Sequence, residues 1–120
     1  EIIDQKKYLD QVIDELDLNN REINVFAFSQ GAAVAARWIS NSNIEVSKLF
    51  FWSGNIPIDI LNNKQDKIWK YSPHFFIGNE DQFITLEKWC EFTNQLQDDQ
   101  FTIYKGNHYF TTELVNKYIL

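Results

Sequence analysis

One cysteine, Cys90, is all the chain has, so no internal disulfide can form. It sits among helix formers between Leu86 and Leu96 and reads as a helix-face residue, with a reactive thiol as the minority reading. Lysine and arginine are scarce, 11 against 17 acidic residues, and no basic cluster forms a phosphate-binding stripe, which argues against nucleic acid as a partner. No apolar run exceeds five residues, and Leu49-Phe50-Phe51-Trp52, like the others, is far too short to span a bilayer. The stretch from Glu1 to Leu18 lacks the basic start and apolar middle of a signal peptide. These absences predict a soluble, cytoplasmic protein. The Gly-x-Gly-x-x-Gly and Gly-Lys-Ser/Thr patterns are also missing after the first predicted strand, which ranks nucleotide binding low. No repeat, linker or low-complexity tract is visible.

What is there is apolar enough to fold. Hydrophobic residues make up 44% and aromatics 16% of 120 residues. A chain of that size forms one domain, residues 1–120, and buries roughly two-thirds of the surface an unfolded chain exposes. Ile2, Ile3, Leu9, Val12, Ile13, Leu16 and Leu18 recur at helical spacing and predict a surface helix, followed by a turn at Asn19-Asn20. Ile23 to Phe28 has strand composition, and Gly31 to Ser40 reads as an alanine-rich helix ended by Asn41-Ser42-Asn43. Further strands are predicted at Leu49 to Trp52, Phe75 to Ile77 and Phe101 to Tyr104. Helices are predicted at Thr85 to Leu96 and from about Thr112. Continuous apolar strands separated by helices, with no tight hairpin turn, predict an α/β three-layer sandwich of about four parallel strands flanked by helices.

The chemistry-bearing residues fall where strands end. Phe28-Ser29-Gln30-Gly31 lies between the first strand and the alanine-rich helix, the setting of a nucleophile elbow. The neighbours two before and two after such a serine must be small, and Ala27 and Gly31 are. The backbone N–H of Gln30, at the helix N-terminus, is placed to stabilise a developing oxyanion. Asp81 follows the third strand and His108 the fourth, both at the sheet edge that holds Ser29. Ser…Asp…His is the chain order of an α/β-hydrolase triad. Each residue has a plainer alternative: Ser29 as a helix cap, Asp81 as a loop carboxylate capping the next helix, His108 as an exposed loop residue. The coincidence of type, order and strand end favours the triad. His74 precedes its strand at the opposite edge and reads as structural, and Glu80 as solvated. Trp52, Ile56, Phe83, Tyr109 and Phe110 lie in loops near the site and are candidates for an acyl pocket, against the alternative that they are core or rim.

Phe28-Ser29-Gln30-Gly31-Ala32 resembles the Gly-Phe-Ser-Gln-Gly signature of the phospholipase/carboxylesterase, acyl-protein thioesterase-like α/β-hydrolases, with Ala27 in place of the first glycine. Trp52-Ser53-Gly54-Asn55-Ile56-Pro57 resembles that family's Ser-Gly-x-x-Pro loop. Gly78-x-x-Asp81 resembles its acid loop, and Gly106-x-His108 its histidine loop. The resemblance covers nearly the whole chain. It implies a serine hydrolase of carboxylic esters or thioesters that needs no metal or organic cofactor. Members of this fold usually carry several strands before the elbow, and none is recognisable here. The chain therefore reads as a partial α/β-hydrolase fold lacking its N-terminal strands and the loop that supplies a second oxyanion donor. The strand Ile23 to Phe28 is then expected to present an apolar edge, open to self-association or to pairing with an N-terminal segment. The competing reading is a noncatalytic or partner-dependent α/β module.

Overall fold

A computed structural model describes residues 22–119. The helix predicted over Ile2 to Leu18 and the turn at Asn19-Asn20 lie outside them. Four strands form the sheet: β1 (Asn24–Phe28), β2 (Lys48–Trp52), β3 (His74–Gly78) and β4 (Phe101–Tyr104). They run parallel in the order β1-β2-β3-β4, with Phe28 opposite Trp52, Trp52 opposite Phe76, and Gly78 opposite Tyr104. The α/β architecture expected from the apolar runs is the one found. β1 starts one residue later than expected, and β3 extends by one residue at each end.

Helix α1 (Gln30–Asn41) leaves β1 directly. The short helix α2 (Ile58–Leu61) and a 3-10 turn (Lys67–Tyr71) connect β2 to β3. Helix α3 (Leu86–Thr93) and a second 3-10 turn (Asp98–Gln100) lead into β4, and α4 (Thr112–Tyr118) follows it. Because strand side chains alternate, one face of the sheet carries Ala27, Leu49, Phe51, Phe75 and Ile77. These pack with Ala32, Ala36 and Ile39 of α1, Ile60 and Leu61 of α2, and Trp89 and Phe92 of α3. The alanines let α1 lie close to the strands. The other face carries Trp52, Phe76 and Tyr104, packed with Phe28, Phe50 and, from α4 and the residue after it, Leu114, Tyr118 and Ile119. The sheet thus lies between two helical layers.

Hydrogen bonding of β1 is one-sided among the described residues. The Ser29 N–H donates to the Trp52 carbonyl at 2.8 Å, and the Ile23 carbonyl accepts from the Ser47 N–H at 2.7 Å. In a parallel ladder alternate residues face alternate neighbours. The N–H and C=O groups of Asn24, Phe26 and Phe28 therefore point away from β2. Among the described residues no helix is long and apolar enough to cross a membrane.

Candidate functional site

Parallel strands bring the exits of β1, β2, β3 and β4 to one edge of the sheet. Ser29 occupies the first exit with φ 56° and ψ −125°, a backbone shape that non-glycine residues rarely adopt. Although it stands at the N-cap position of α1, its side chain makes no capping hydrogen bond. The hydroxyl lies instead 2.8 Å from His108 Nε2. The capping alternative for Ser29 is thereby answered.

His108 Nδ1 lies 2.7 Å from Asp81 Oδ2. A carboxylate can only accept, so the proton resides on Nδ1, and Nε2 is left to accept from the Ser29 hydroxyl. The Asp81 side chain is fully buried and that of His108 is 6% exposed. The other Asp81 oxygen, Oδ1, accepts from the N–H groups of Phe83 at 2.8 Å and Ile84 at 3.0 Å. One carboxylate thus fixes its own loop and the imidazole together. The cap of α3 is Thr85, whose side chain accepts from the Lys88 N–H, so helix capping is not Asp81's role. Glu80 is exposed, and its backbone N–H donates to the Gly106 carbonyl at 2.8 Å.

Two glycines permit this assembly. A Cβ on Gly78 would lie 2.2 Å from the Asn107 carbonyl oxygen, so only glycine lets the histidine loop seat against the end of β3. A Cβ on Gly54 would lie 2.2 Å from the Ser29 carbonyl oxygen and 2.6 Å from Ala32 Cβ, closing the second approach in the same way. Rings enclose the imidazole: Phe28, Phe83 and Tyr109 have centroids 5.2, 4.9 and 5.4 Å from it. These rings shield it from bulk water.

An open cavity of about 510 Å³ lies over the pair, lined by Phe28, Ser29, Gln30, Phe83, Ile84, His108 and Tyr109. A second hollow of about 210 Å³ lies on the other side of Ser29, against Gly54 and Asn55. Gln30 is the first residue of α1, so its N–H is among those a helix leaves without an intrahelical acceptor. Of the aromatic and aliphatic candidates, Phe83 and Tyr109 stand on the cavity wall. Phe110 stands beside it, packed edge-on against Phe26 and Phe28 at 5.1 Å.

Two expectations need correction. Trp52 does not line the cavity: it is completely buried on the α4 face, stacked on Phe76 at 4.6 Å, with Nε1–H donating to the Tyr104 hydroxyl at 2.9 Å. Its ring is taken up there in packing with Phe76, Tyr104 and residues of α4. Ile56 is also buried, 4% exposed, in the core on the opposite face, where it lines a separate groove with Ile58, Leu61 and Phe92. Ser53 and Tyr104 went unassigned in the sequence, yet both hydroxyls touch the histidine loop. Their contacts span 55 and 3 residues, and only the Ser53-Gly54 dipeptide within a recognisable loop gave any signal. His74 meets Thr102 Oγ1 at 2.8 Å, at the start of β3 and far from this edge. Among the described residues no group of three or more His, Cys, Asp or Glu side chains is arranged to hold a metal ion. Cys90 is exposed on α3. No family model, curated protein or solved structure matches the chain.

Proposed function

We propose that this chain is a serine hydrolase that cleaves carboxylic esters or thioesters of small molecules through Ser29, His108 and Asp81. The observation that carries the reading is the unbroken path from the Ser29 hydroxyl through both ring nitrogens of His108 to Asp81, at 2.8 and 2.7 Å. It is assembled from three loops at one sheet edge. The sequence resemblance to acyl-protein thioesterase-like hydrolases supports the same conclusion, as do the strained backbone at Ser29 and the cavity over it.

In this reading Ser29 Oγ attacks the substrate carbonyl carbon as its proton passes to His108 Nε2. Asp81 stabilises the imidazolium that forms and keeps the ring oriented. The Gln30 N–H stabilises the oxyanion of the tetrahedral intermediate. Collapse of that intermediate breaks the bond to the alkoxide or thiolate, which takes the proton from His108 as it leaves. Water then attacks the acyl-serine, giving one proton to His108; the bond from the acyl carbon to Ser29 Oγ breaks, Ser29 Oγ takes that proton back from His108, and the carboxylic acid is released. Phe28, Phe83, Ile84 and Tyr109 give the acyl group an apolar wall. The chemistry calls for no metal or cofactor, and the protein works in the cytoplasm without nucleic acid.

The outward row of backbone groups on Asn24, Phe26 and Phe28 favours a second element of the proposal: activity in a form in which another strand, from a second copy or an N-terminal segment, pairs with β1. Among the described residues one oxyanion donor is assigned. A second donor is worth roughly a hundredfold to a thousandfold in turnover, so a pairing that supplies one is expected to raise the rate by that much. Hydrolysis of p-nitrophenyl butyrate and of a butyryl thioester tests the reading. The expected result is an acyl-enzyme burst that disappears in Ser29→Ala. Background hydrolysis identical in wild type and Ser29→Ala would point instead to a noncatalytic module.

A further inference from the structure

The loop that carries His108 turns two consecutive backbone carbonyls inward, and each is taken by a buried hydroxyl from another part of the chain. Ser53 Oγ–H donates to the His108 carbonyl. Tyr104 Oη–H donates to the Asn107 carbonyl at 2.8 Å and accepts from Trp52 Nε1–H at 2.9 Å. Ser53 is 1% exposed and Tyr104 4%. Burial raises the Tyr104 hydroxyl above its ordinary titration range, which keeps it a neutral donor.

The backbone singles out Ser53. Its φ of 52° is a value that glycine adopts freely and that strains a residue carrying a side chain. The hydroxyl held there donates to the carbonyl of His108 and also lies within hydrogen-bonding reach of the Tyr104 hydroxyl. The next residue, Gly54, packs its Cα against the Ser29 carbonyl so closely that no Cβ fits. One dipeptide therefore touches both the loop of the nucleophile and the loop of the base.

We infer that Ser53 is a positioning residue for His108, setting the separation between its Nε2 and the Ser29 hydroxyl by fixing the His108 carbonyl, with Tyr104 holding the carbonyl before it. This rests on the hydrolase reading for its consequence in rate, but the placement of the ring is measurable without any reaction. Ser53→Gly keeps the left-handed backbone and removes the CH2OH group that makes the contact. Tyr104→Phe removes the second donor, together with the acceptor of the Trp52 indole N–H.

The test uses the full chain. Each variant is checked for folding by circular dichroism, for the rate of Ser29 labelling by a fluorophosphonate, and for the hydrogen-bonded Nδ1 proton of His108 by NMR. The expected result is a folded Ser53→Gly that labels roughly ten- to a hundredfold more slowly, as when a reacting group is misplaced by up to about 1 Å. Its His108 Nδ1 proton signal broadens or vanishes through exchange with water, and Tyr104→Phe shows a weaker change of the same kind. Folded variants that label at the wild-type rate with an unchanged His108 signal would overturn the inference. So would slower labelling with an unchanged signal, which marks a merely structural hydroxyl. If wild type does not label at all, the hydrolase reading fails on its own account. The NMR comparison then decides the positioning: loss of the signal in Ser53→Gly supports it, and an unchanged signal refutes it. Should Ser53→Gly not fold, Tyr104→Phe carries the same comparison.

Discussion

Ser29, Ser53 and Ser72 hold positive φ angles of 56°, 52° and 50° without being glycine, and the first two stand on adjoining strand exits at the candidate site. Such conformations cost on the order of 1–3 kcal/mol each and persist only where surrounding contacts over-determine them. Ser29 is fixed by its N–H on the Trp52 carbonyl and by its carbonyl on the Ala32 N–H at 3.1 Å. Ser53 is fixed by its N–H on the Phe76 carbonyl at 2.9 Å and by its hydroxyl. At the opposite edge, His74 has another kind of constraint. Burial outweighs the raising influence of Asp99 and holds its imidazole below the ordinary 6.5. The unfolded chain therefore takes up this proton first as pH falls. The stability His74 contributes is complete above pH 6.5 and is lost as pH drops from there through the lower folded value. Thermal midpoints measured between about pH 7.5 and pH 5.5 are expected to fall less steeply in His74→Gln than in wild type. Equal slopes would remove His74 from the acid sensitivity.

Among the elements, α3 is anchored by only two buried residues, Trp89 and Phe92. The Trp89 indole N–H is buried with no hydrogen-bond acceptor among the described residues. An unsatisfied buried donor costs about 1–3 kcal/mol, so the ring contributes packing at a partial loss. Trp89→Phe is expected to cost less than about 1.5 kcal/mol in urea unfolding, because relief of the stranded donor offsets the smaller ring. Trp89→Ala, which only opens a cavity, is expected to cost about 3–5 kcal/mol. Similar losses in the two variants would show that the donor is satisfied in solution. The elements were largely legible in the sequence because each buried strand is a short apolar run and each run is followed by polar or helix-forming residues. Leu49 to Trp52 and Phe75 to Ile77 are the clearest cases. The placement of Ser29, Asp81 and His108 at one edge followed from parallel topology alone. Trp52 and Ile56 were misread because closeness to a strand exit says nothing of which sheet face a side chain takes. Trp52 falls on the α4 face and Ile56 in the core beneath α1, α2 and α3. The hydroxyl brace from Ser53 and Tyr104 was illegible for a related reason: it depends on register between β2, β3 and β4, which periodicity does not encode.

For the whole molecule, the most consequential feature is the asymmetry of the sheet. One face is covered by α1, α2 and α3, the other among the described residues by α4. On that thinner side Phe26 and Phe110 are 37% and 42% exposed and touch each other beside the outward edge of β1. An apolar strand edge of this kind is a template for another strand, and a lysine in it blunts pairing. In light scattering, wild type is expected to show concentration-dependent association that Phe26→Lys reduces. A strictly monomeric wild type would remove self-pairing and leave an N-terminal segment as the strand's partner. Association and chemistry are separable, since the Ser29, His108 and Asp81 contacts all lie within one chain. The central claim concerns that chemistry, and covalent labelling by a fluorophosphonate followed by peptide mass spectrometry reads it most directly. The account predicts a single adduct on Ser29 of the wild-type chain, absent in Ser29→Ala and strongly slowed in His108→Ala. A folded wild-type protein that takes up no label, or that carries it elsewhere while His108→Ala labels equally fast, would contradict it.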